Sequence, residues 1–395
     1  MNRLSTASDP IADSVKEELR SAAIRLGFSA CGFTCARDLD LGFMMYRWLG
    51  EDRHGHMDYL VRQGPRRLSP RACFAKAASV LVVAWPYPAP SPPDSDWGGR
   101  LEGRIAAYAL GDDYHSILRR KLEHLAKMTE EMCGAASKVQ VDAGPLVEKE
   151  LARRAGLGWY GHNTNLVTKD AGSYVLLGCL ATEAVFEPDP PFRGGHCGFC
   201  RDCPPACPTG ALDCGPTIDA RLCISYLTIE HRGPIAHGLR PRMGNWVFGC
   251  DLCQQVCGWN GEATAAVAGS TPFLPDLLGI DEEEFKHLYG ATAIARCKRR
   301  GLGRNAAVAL GNSRNPEAAG PLEHALRTHD QPLVRSHAAW AIGRIAAAGW
   351  RRVLATAARH EDVRPVVVEI EAALAGNSQL TPGRGDRYRP GPKVV

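Results

Sequence analysis

Four cysteines within eleven residues, Cys197-x2-Cys200-x2-Cys203-x3-Cys207-Pro208, constrain this chain more than any other feature. The spacing is the one by which bacterial ferredoxins wrap a [4Fe-4S] cluster. In two-cluster ferredoxins the fourth cysteine of such a run ligates the other cluster, so Cys207 is expected to serve a second site. A second run, Cys250-x2-Cys253-x3-Cys257, follows about 50 residues on, and Cys223 lies between the two. The expected ligand sets are therefore Cys197, Cys200, Cys203 and Cys257 for one cluster, and Cys207, Cys223, Cys250 and Cys253 for the other. Cys214 is left over and could replace Cys223. The second run ends Cys257-Gly258 where the first ends Cys-Pro, which weakens the internal symmetry but removes no ligand.

Two other uses of these cysteines fit less well. Disulfides need an oxidising compartment, and Met1 to Pro10 is polar, with no apolar core or twin-arginine signal. A zinc site usually draws on two separated cysteine pairs, and four thiols in so short a run crowd one tetrahedral ion. The 395 residues, 45% hydrophobic and 23% charged, leave room for two or three domains. The net charge of +4 permits a polyanionic partner without announcing one. Apolar runs around Val80 to Trp85 and Val175 to Leu180 fall far short of the roughly 20 residues a membrane span needs, so a soluble, cytoplasmic protein is expected.

The first 190 or so residues read as α/β or α+β. Val15, Leu19, Ala23 and Leu26 recur at helical spacing and stop at Gly27. Ser79 to Trp85 reads as a buried strand, and Ile117, Leu118, Leu122, Leu125 and Met128 as a further amphipathic helix. Ser173 to Phe186 reads as strand with a turn at Gly178. Past about residue 260 alanine takes over. Ala306 to Gly311 is echoed 32 residues later by Ala338 to Gly343, and Val334-Arg335 by Val363-Arg364, which suggests stacked helical pairs of the HEAT kind. The tail from Gln379 to Val395, with Arg384, Arg387, Arg389 and Lys393, has a disordered composition.

A cluster pair only delivers electrons, so the acceptor must be sought elsewhere. In Val141-Asp142-Ala143-Gly144-Pro145, proline suits the first position of a helix running to Gly156, with Gly144 as its cap. Asp142 then falls two residues too early for an N-cap. Its carboxylate is left for chemistry, or for a solvated turn.

Several stretches together resemble the epoxyqueuosine reductase family. They are His54-Gly55-His56-Met57-Asp58-Tyr59-Leu60, Tyr108-Ala109-Leu110-Gly111-Asp112-Asp113-Tyr114-His115, Asp142 through Gly158-Trp159-Tyr160-Gly161 to Thr164-Asn165, the eight cysteines, Cys223-Ile224-Ser225-Tyr226-Leu227-Thr228-Ile229-Glu230, and Arg304-Asn305-Ala306-Ala307. The resemblance runs from about residue 10 to 375. It implies an α+β multidomain chain: an N-terminal α/β corrinoid-binding catalytic domain (1–187), a ferredoxin-like domain with two [4Fe-4S] clusters (188–262), HEAT-like α-helical repeats (263–376) and a disordered tail (377–395).

The implied reaction is reduction of epoxyqueuosine to queuosine at the wobble position of tRNA, with cobalamin and the two clusters. Asp142, its pKa raised by burial, would be the proton donor. By family position Met57, Tyr108, His115, Asp142, Asn163, Thr164, Asn165 and Ser225 are expected around the corrinoid. The Asp-x-His-x-x-Gly pattern of histidine-ligated corrinoid proteins is missing, since Asp52-x-His54 is followed by Met57 where glycine should stand. His162 replaces the lysine or arginine that the family usually carries after this glycine.

Lys298, Arg299, Arg300 and Arg304 form a basic knot expected to hold tRNA phosphates, and Tyr226 and Trp246 are possible base-stacking platforms. A monomer is expected, supplied by an external electron donor such as flavodoxin or ferredoxin. The competing readings are a reductive dehalogenase-like corrinoid enzyme acting on a small molecule, and a non-enzymatic electron carrier with a repeat-based docking module. The first leaves the helical repeats out of place, and the second leaves the first 190 or so residues unexplained.

Overall fold

The structure, a computed structural model, describes residues 11–89, 99–212, 217–261 and 271–376. Expectations placed on residues 1–10, on Cys214 and on the tail 377–395 lie outside the described residues. In the first domain a four-stranded sheet runs in the spatial order Ala30–Cys35, Ser79–Pro86, Val175–Thr182, Ser137–Gln140. All three pairings are antiparallel. Ser79–Pro86 is central and covered on both faces, which is why it reads as an unbroken apolar run rather than an alternation.

One face carries Phe33, Leu81, Val83 and Leu180 against the helices Asp13–Arg25 and Tyr114–Cys133. The other carries Val80, Val82, Ala84, Cys179 and Ala181 against Leu151, Ala152 and Ala155 around the short helix Glu148–Arg154.

Gly27 ends the first helix with φ of +90°, as expected from sequence. Gly178 does not make a turn. It lies in the middle of the continuous strand Val175–Thr182, where a Cβ would come within 2.6 Å of the Leu122 side chain of the covering helix. Here glycine marks a close approach of helix to sheet.

The helix expected from Pro145 also differs, since it spans only Glu148–Arg154. Before it, Arg67 Nη1 donates to the Gly144 carbonyl at 3.0 Å, and the Glu148 carboxylate turns back to accept the Asp142 N–H at 2.8 Å. Both contacts hold residues 142–147 in a loop.

The cysteine-rich segment is built of short turns around the helices Cys203–Ala206, Ile224–Ile229 and Leu252–Gln255. Its strand Trp246–Phe248 pairs in parallel with Arg104–Ile105, which ties it to the first domain. Asp251 Oδ2 adds a bond from the Ala107 N–H at 2.8 Å.

The C-terminal helices Lys298–Ser313, Ala319–Thr328, Pro332–Ile345, Trp350–Ala358 and Arg364–Leu374 stack against one another. The two alanine-rich echoes are the contact surfaces of the first and third of these helices, with Ala306 to Leu310 and Ala338 to Ile342 all buried. Two buried side chains clasp this stack to the cysteine-rich segment. Arg304 donates to the carbonyls of Leu227, His231 and Gly233, and Asn305 to those of Thr228 and Val247. Among the described residues no helix is long and apolar enough to cross a membrane.

Candidate active site

The structure gathers the eight cysteines into two groups. Cys197, Cys200, Cys203 and Cys257 line one pocket of about 370 Å³, together with Gly161, His162 and Trp259. Burial pushes the Cys203 thiol up to about 11, and it lies within electrostatic reach of Cys257, Cys197 and Cys200. In the second group Cys223 feels Cys207, and Cys253 feels Cys223 and Cys207. Burial raises Cys223, Cys250 and Cys253, so metal binding here would have to release protons from reluctant thiols. Cys253 also feels Cys203, so the two groups adjoin.

A larger apolar cavity, about 470 Å³, opens beside Asp142. The helix Gly42–Gly50 supplies Met44, Met45, Trp48 and Leu49 to its wall, yet none of this helix's residues is buried. Arg67, Glu148, Lys149 and Thr164 complete the wall on the Asp142 side.

Asp142 adopts a φ of +53°, a left-handed conformation that costs a non-glycine residue on the order of 1 kcal/mol. Its Oδ2 accepts from the Tyr114 hydroxyl at 2.7 Å and lies 3.4 Å from His115 Nε2. His115 Nδ1 in turn lies 2.6 Å from Asp113 Oδ1, and Asp113 also caps the helix by accepting the His115 N–H.

The expectation of a raised Asp142 pKa is overturned. The His115 hydrogen bond, with that of Tyr114 and the charge of Lys149, holds the carboxyl below its usual range and outweighs burial. The Asp142 side chain is 63% exposed and lines the cavity. His115 is raised, first by its bond to Asp142 and then by Asp113, against the effect of burial. Glu148 is pushed well up by burial, with the Asp142 charge adding to the effect. Lys149 is lowered by burial although Asp142, Cys253 and Cys223 all attract its charge. This lysine is therefore within electrostatic reach of both the carboxylate and the second cysteine group.

Of the residues expected around a corrinoid, Asp142 and Thr164 line the cavity, while Met57, Tyr108, His115, Asn163, Asn165 and Ser225 do not. Tyr108 packs edge-on to Tyr114 with ring centroids 5.9 Å apart. Asn163 is buried, borders the first cysteine pocket, and accepts the Asn165 N–H at 3.1 Å. Asn165 itself accepts from Lys149 at 3.2 Å. Met57 packs against the core shared by the cysteine-rich segment and the repeats, and Ser225 lies beside Cys223.

In the basic knot, Lys298 and Arg300 are exposed, but Arg299 and Arg304 are buried and unavailable to phosphates. Arg299 is taken by Asp330 and Glu282, and Arg304 by its three carbonyls. Tyr226 and Trp246 are likewise buried and cannot receive a base. His162 has a cation at its side after all: Arg201 Nη1 lies 3.2 Å from its Nδ1 and donates to the Cys200 carbonyl at 2.7 Å.

Sequence reasoning missed Tyr114, Arg67, Glu148 and Lys149. Only the adjacency of Asp142 to a Glu148-Lys149 pair signalled the last two.

Comparison with known proteins agrees with this geometry. Family models match at residues 67–143 (Epoxyqueuosine reductase QueG, DUF1730), 196–260 (4Fe-4S double cluster binding domain) and 292–375 (HEAT repeats). The epoxyqueuosine reductase of Alicycliphilus denitrificans is 37% identical over 81% of this chain and 95% of its own length. That of Escherichia coli is 35% identical over 85% and 91% respectively.

A crystal structure of epoxyqueuosine reductase with an epoxyqueuosine-modified tRNA-Tyr stem loop superposes with a TM-score of 0.83 at 31% identity, covering 92% of this chain and 99% of that one. A Bacillus subtilis epoxyqueuosine reductase, whose catalytic aspartate loop is swung out of the active site, gives 0.82 at 30% identity over the same shares. With relatives this similar along nearly their whole length, a double-cluster segment and HEAT repeats, this chain is an oxidoreductase that belongs to the epoxyqueuosine reductase family.

Proposed function

We propose that this enzyme reduces epoxyqueuosine in a tRNA anticodon loop to queuosine, with Asp142 delivering a proton to the departing epoxide oxygen. The reaction takes up two electrons and two protons and converts the epoxide into an alkene and water. The observation that carries this reading is the placement of Asp142. Its carboxylate opens on a large apolar cavity, while Lys149 links it electrostatically to the second cysteine group.

Ionised Asp142 and charged His115 share the proton as a coupled pair. A substrate that fills the cavity strips water from the carboxylate and raises its proton affinity, so the proton moves through Asp142 while Asp113 steadies the imidazole. Cys197, Cys200, Cys203 and Cys257 would hold one [4Fe-4S] cluster, and Cys207, Cys223, Cys250 and Cys253 the other, adjoining through Cys203 and Cys253.

The cavity also fits the corrinoid that the family resemblance implies. Its walls are largely apolar, and none of the residues of the helix bearing Met44, Met45, Trp48 and Leu49 is buried. Those side chains, with Leu146 and Thr164, would hold the macrocycle, and the lining contains no histidine to reach a metal. When bound, a corrinoid supplies a strongly reducing metal centre. Lys298 and Arg300 would take tRNA phosphates, in keeping with the stem loop bound to the related structure.

The test is anaerobic incubation of iron- and cobalt-loaded enzyme with an epoxyqueuosine stem loop and a chemical reductant, followed by nucleoside mass spectrometry. Conversion to queuosine is expected. Unchanged epoxyqueuosine, from protein carrying about eight irons and one cobalt, would refute the proposal.

A further inference from the structure

The segment carrying Asp142 is anchored at its ends, since Val141 and Leu146 are buried, but Asp142 and Ala143 between them are exposed. Inside the loop the backbone makes only tight local bonds, Ala143 N–H to the Val141 carbonyl and Gly144 N–H to that of Asp142. Neither bond fixes the loop against the rest of the molecule. Tyr114 and His115 grip the carboxylate, yet a side-chain grip leaves the backbone free to pivot about the left-handed Asp142.

Two cavity-lining side chains supply what is missing. Glu148 Oε1 accepts the Asp142 N–H at 2.8 Å, and Arg67 Nη1 donates to the Gly144 carbonyl at 3.0 Å while also reaching Gln63 Oε1 at 3.2 Å. They approach from different elements, Arg67 from the helix Gly64–Arg67 and Glu148 from the start of Glu148–Arg154.

We propose that Arg67 and Glu148 are positioning residues that stitch the Asp142 loop to the cavity wall. In this role Glu148 acts through the Asp142 backbone and not as a proton carrier. Because both line the cavity, whatever occupies it touches the stitches as well as the carboxylate, so occupancy and the aim of Asp142 are set together. The inference rests on Asp142 being the proton-delivering group. Its test reads the loop directly and so can fail separately from that reading.

The experiment is amide hydrogen exchange across residues 141–147, alongside stem-loop turnover, in loaded Glu148→Ala, Glu148→Gln and Arg67→Ala enzymes whose iron content matches the parent. A glutamine carbonyl can still accept the Asp142 N–H and alanine cannot. Glu148→Ala should speed exchange at the Asp142 amide roughly tenfold or more and lower kcat with KM for the stem loop little changed, while Glu148→Gln restores most of both. Arg67→Ala should loosen the same loop from its other stitch.

Parental exchange rates in both alanine variants would overturn the proposal. So would a Glu148→Gln enzyme as slow as Glu148→Ala with its Asp142 amide still protected, because Glu148 would then be moving a proton.

Discussion

The Tyr114 hydroxyl donates to Oδ2 of Asp142 across 2.7 Å, joining the first turn of one helix to a loop that precedes another. Tyr114 is itself buried, and its proton is held so firmly by burial and by the Asp142 charge that it remains a donor at any working pH. Asp142→Asn should lower kcat by about 10²–10⁴-fold, the range for loss of a general acid, with iron content unchanged. Tyr114→Phe keeps the acid and should cost far less. Equal losses in the two variants, measured by single-turnover kinetics, would contradict this division of labour.

The pH dependence has a definite sign. His115 is raised, so its charged form persists above the ordinary imidazole range and is lost as pH climbs through the raised value. Asp142 is depressed, so protonation of the carboxylate intrudes only at acid pH. Turnover that draws its proton from this pair should fall on the alkaline side. Asp113→Asn removes one of the carboxylates that raise His115 and keeps a good helix cap, so the alkaline limb of kcat/KM should move to lower pH. An unmoved limb would show that another group sets it.

The basic knot divides into two classes of cation. Replacing exposed Lys298 and Arg300 together by alanine should weaken stem-loop binding across sequences and reduce the salt dependence by about two phosphate contacts, without loss of stability. Arg304→Ala should instead destabilise the fold by at least about 2 kcal/mol, because it abandons three carbonyl acceptors. Binding titrations at several salt concentrations, paired with thermal unfolding, separate the two.

Gly311→Ala tests the packing of the repeats. Helix propensity alone favours alanine by about 1 kcal/mol. A Cβ at this position would meet the Ala341 Cα at 2.9 Å and the Trp340 ring at 2.7 Å, contacts that a rigid backbone cannot relieve. Overpacking of this kind costs about 1–3 kcal/mol, so a net fall in melting temperature is expected. A rise would show that the two helices slide apart easily.

Much of this architecture could be read from the chain because its causes are local. Thiol spacing reflects the size of an inorganic core, and the covered strand and amphipathic helices follow from apolar periodicity. The alanine echo is legible because helices that pack closely need small residues at a repeating contact.

What escaped depends on partners far away in sequence. Gly178 resembles a turn residue until Leu122 is seen against it. Arg299 and Arg304 resemble a phosphate grip until Asp330 and the carbonyls near residue 230 are seen to occupy them. The depressed Asp142 pKa comes from a histidine 27 positions earlier, which no local pattern foretells.

The clasp made by Arg304 and Asn305 has a consequence for how this protein can be dissected. Of the carbonyls they hold, those of Leu227 and Thr228 belong to the helix that starts directly after Cys223, that of Val247 to the strand leading into Cys250, and those of His231 and Gly233 to the loop between. Cutting the chain ahead of the repeats would remove the brace behind two sulfur donors. The C-terminal module therefore braces the segments that carry Cys223 and Cys250, and a shortened enzyme would lose this support together with the Lys298 and Arg300 cations.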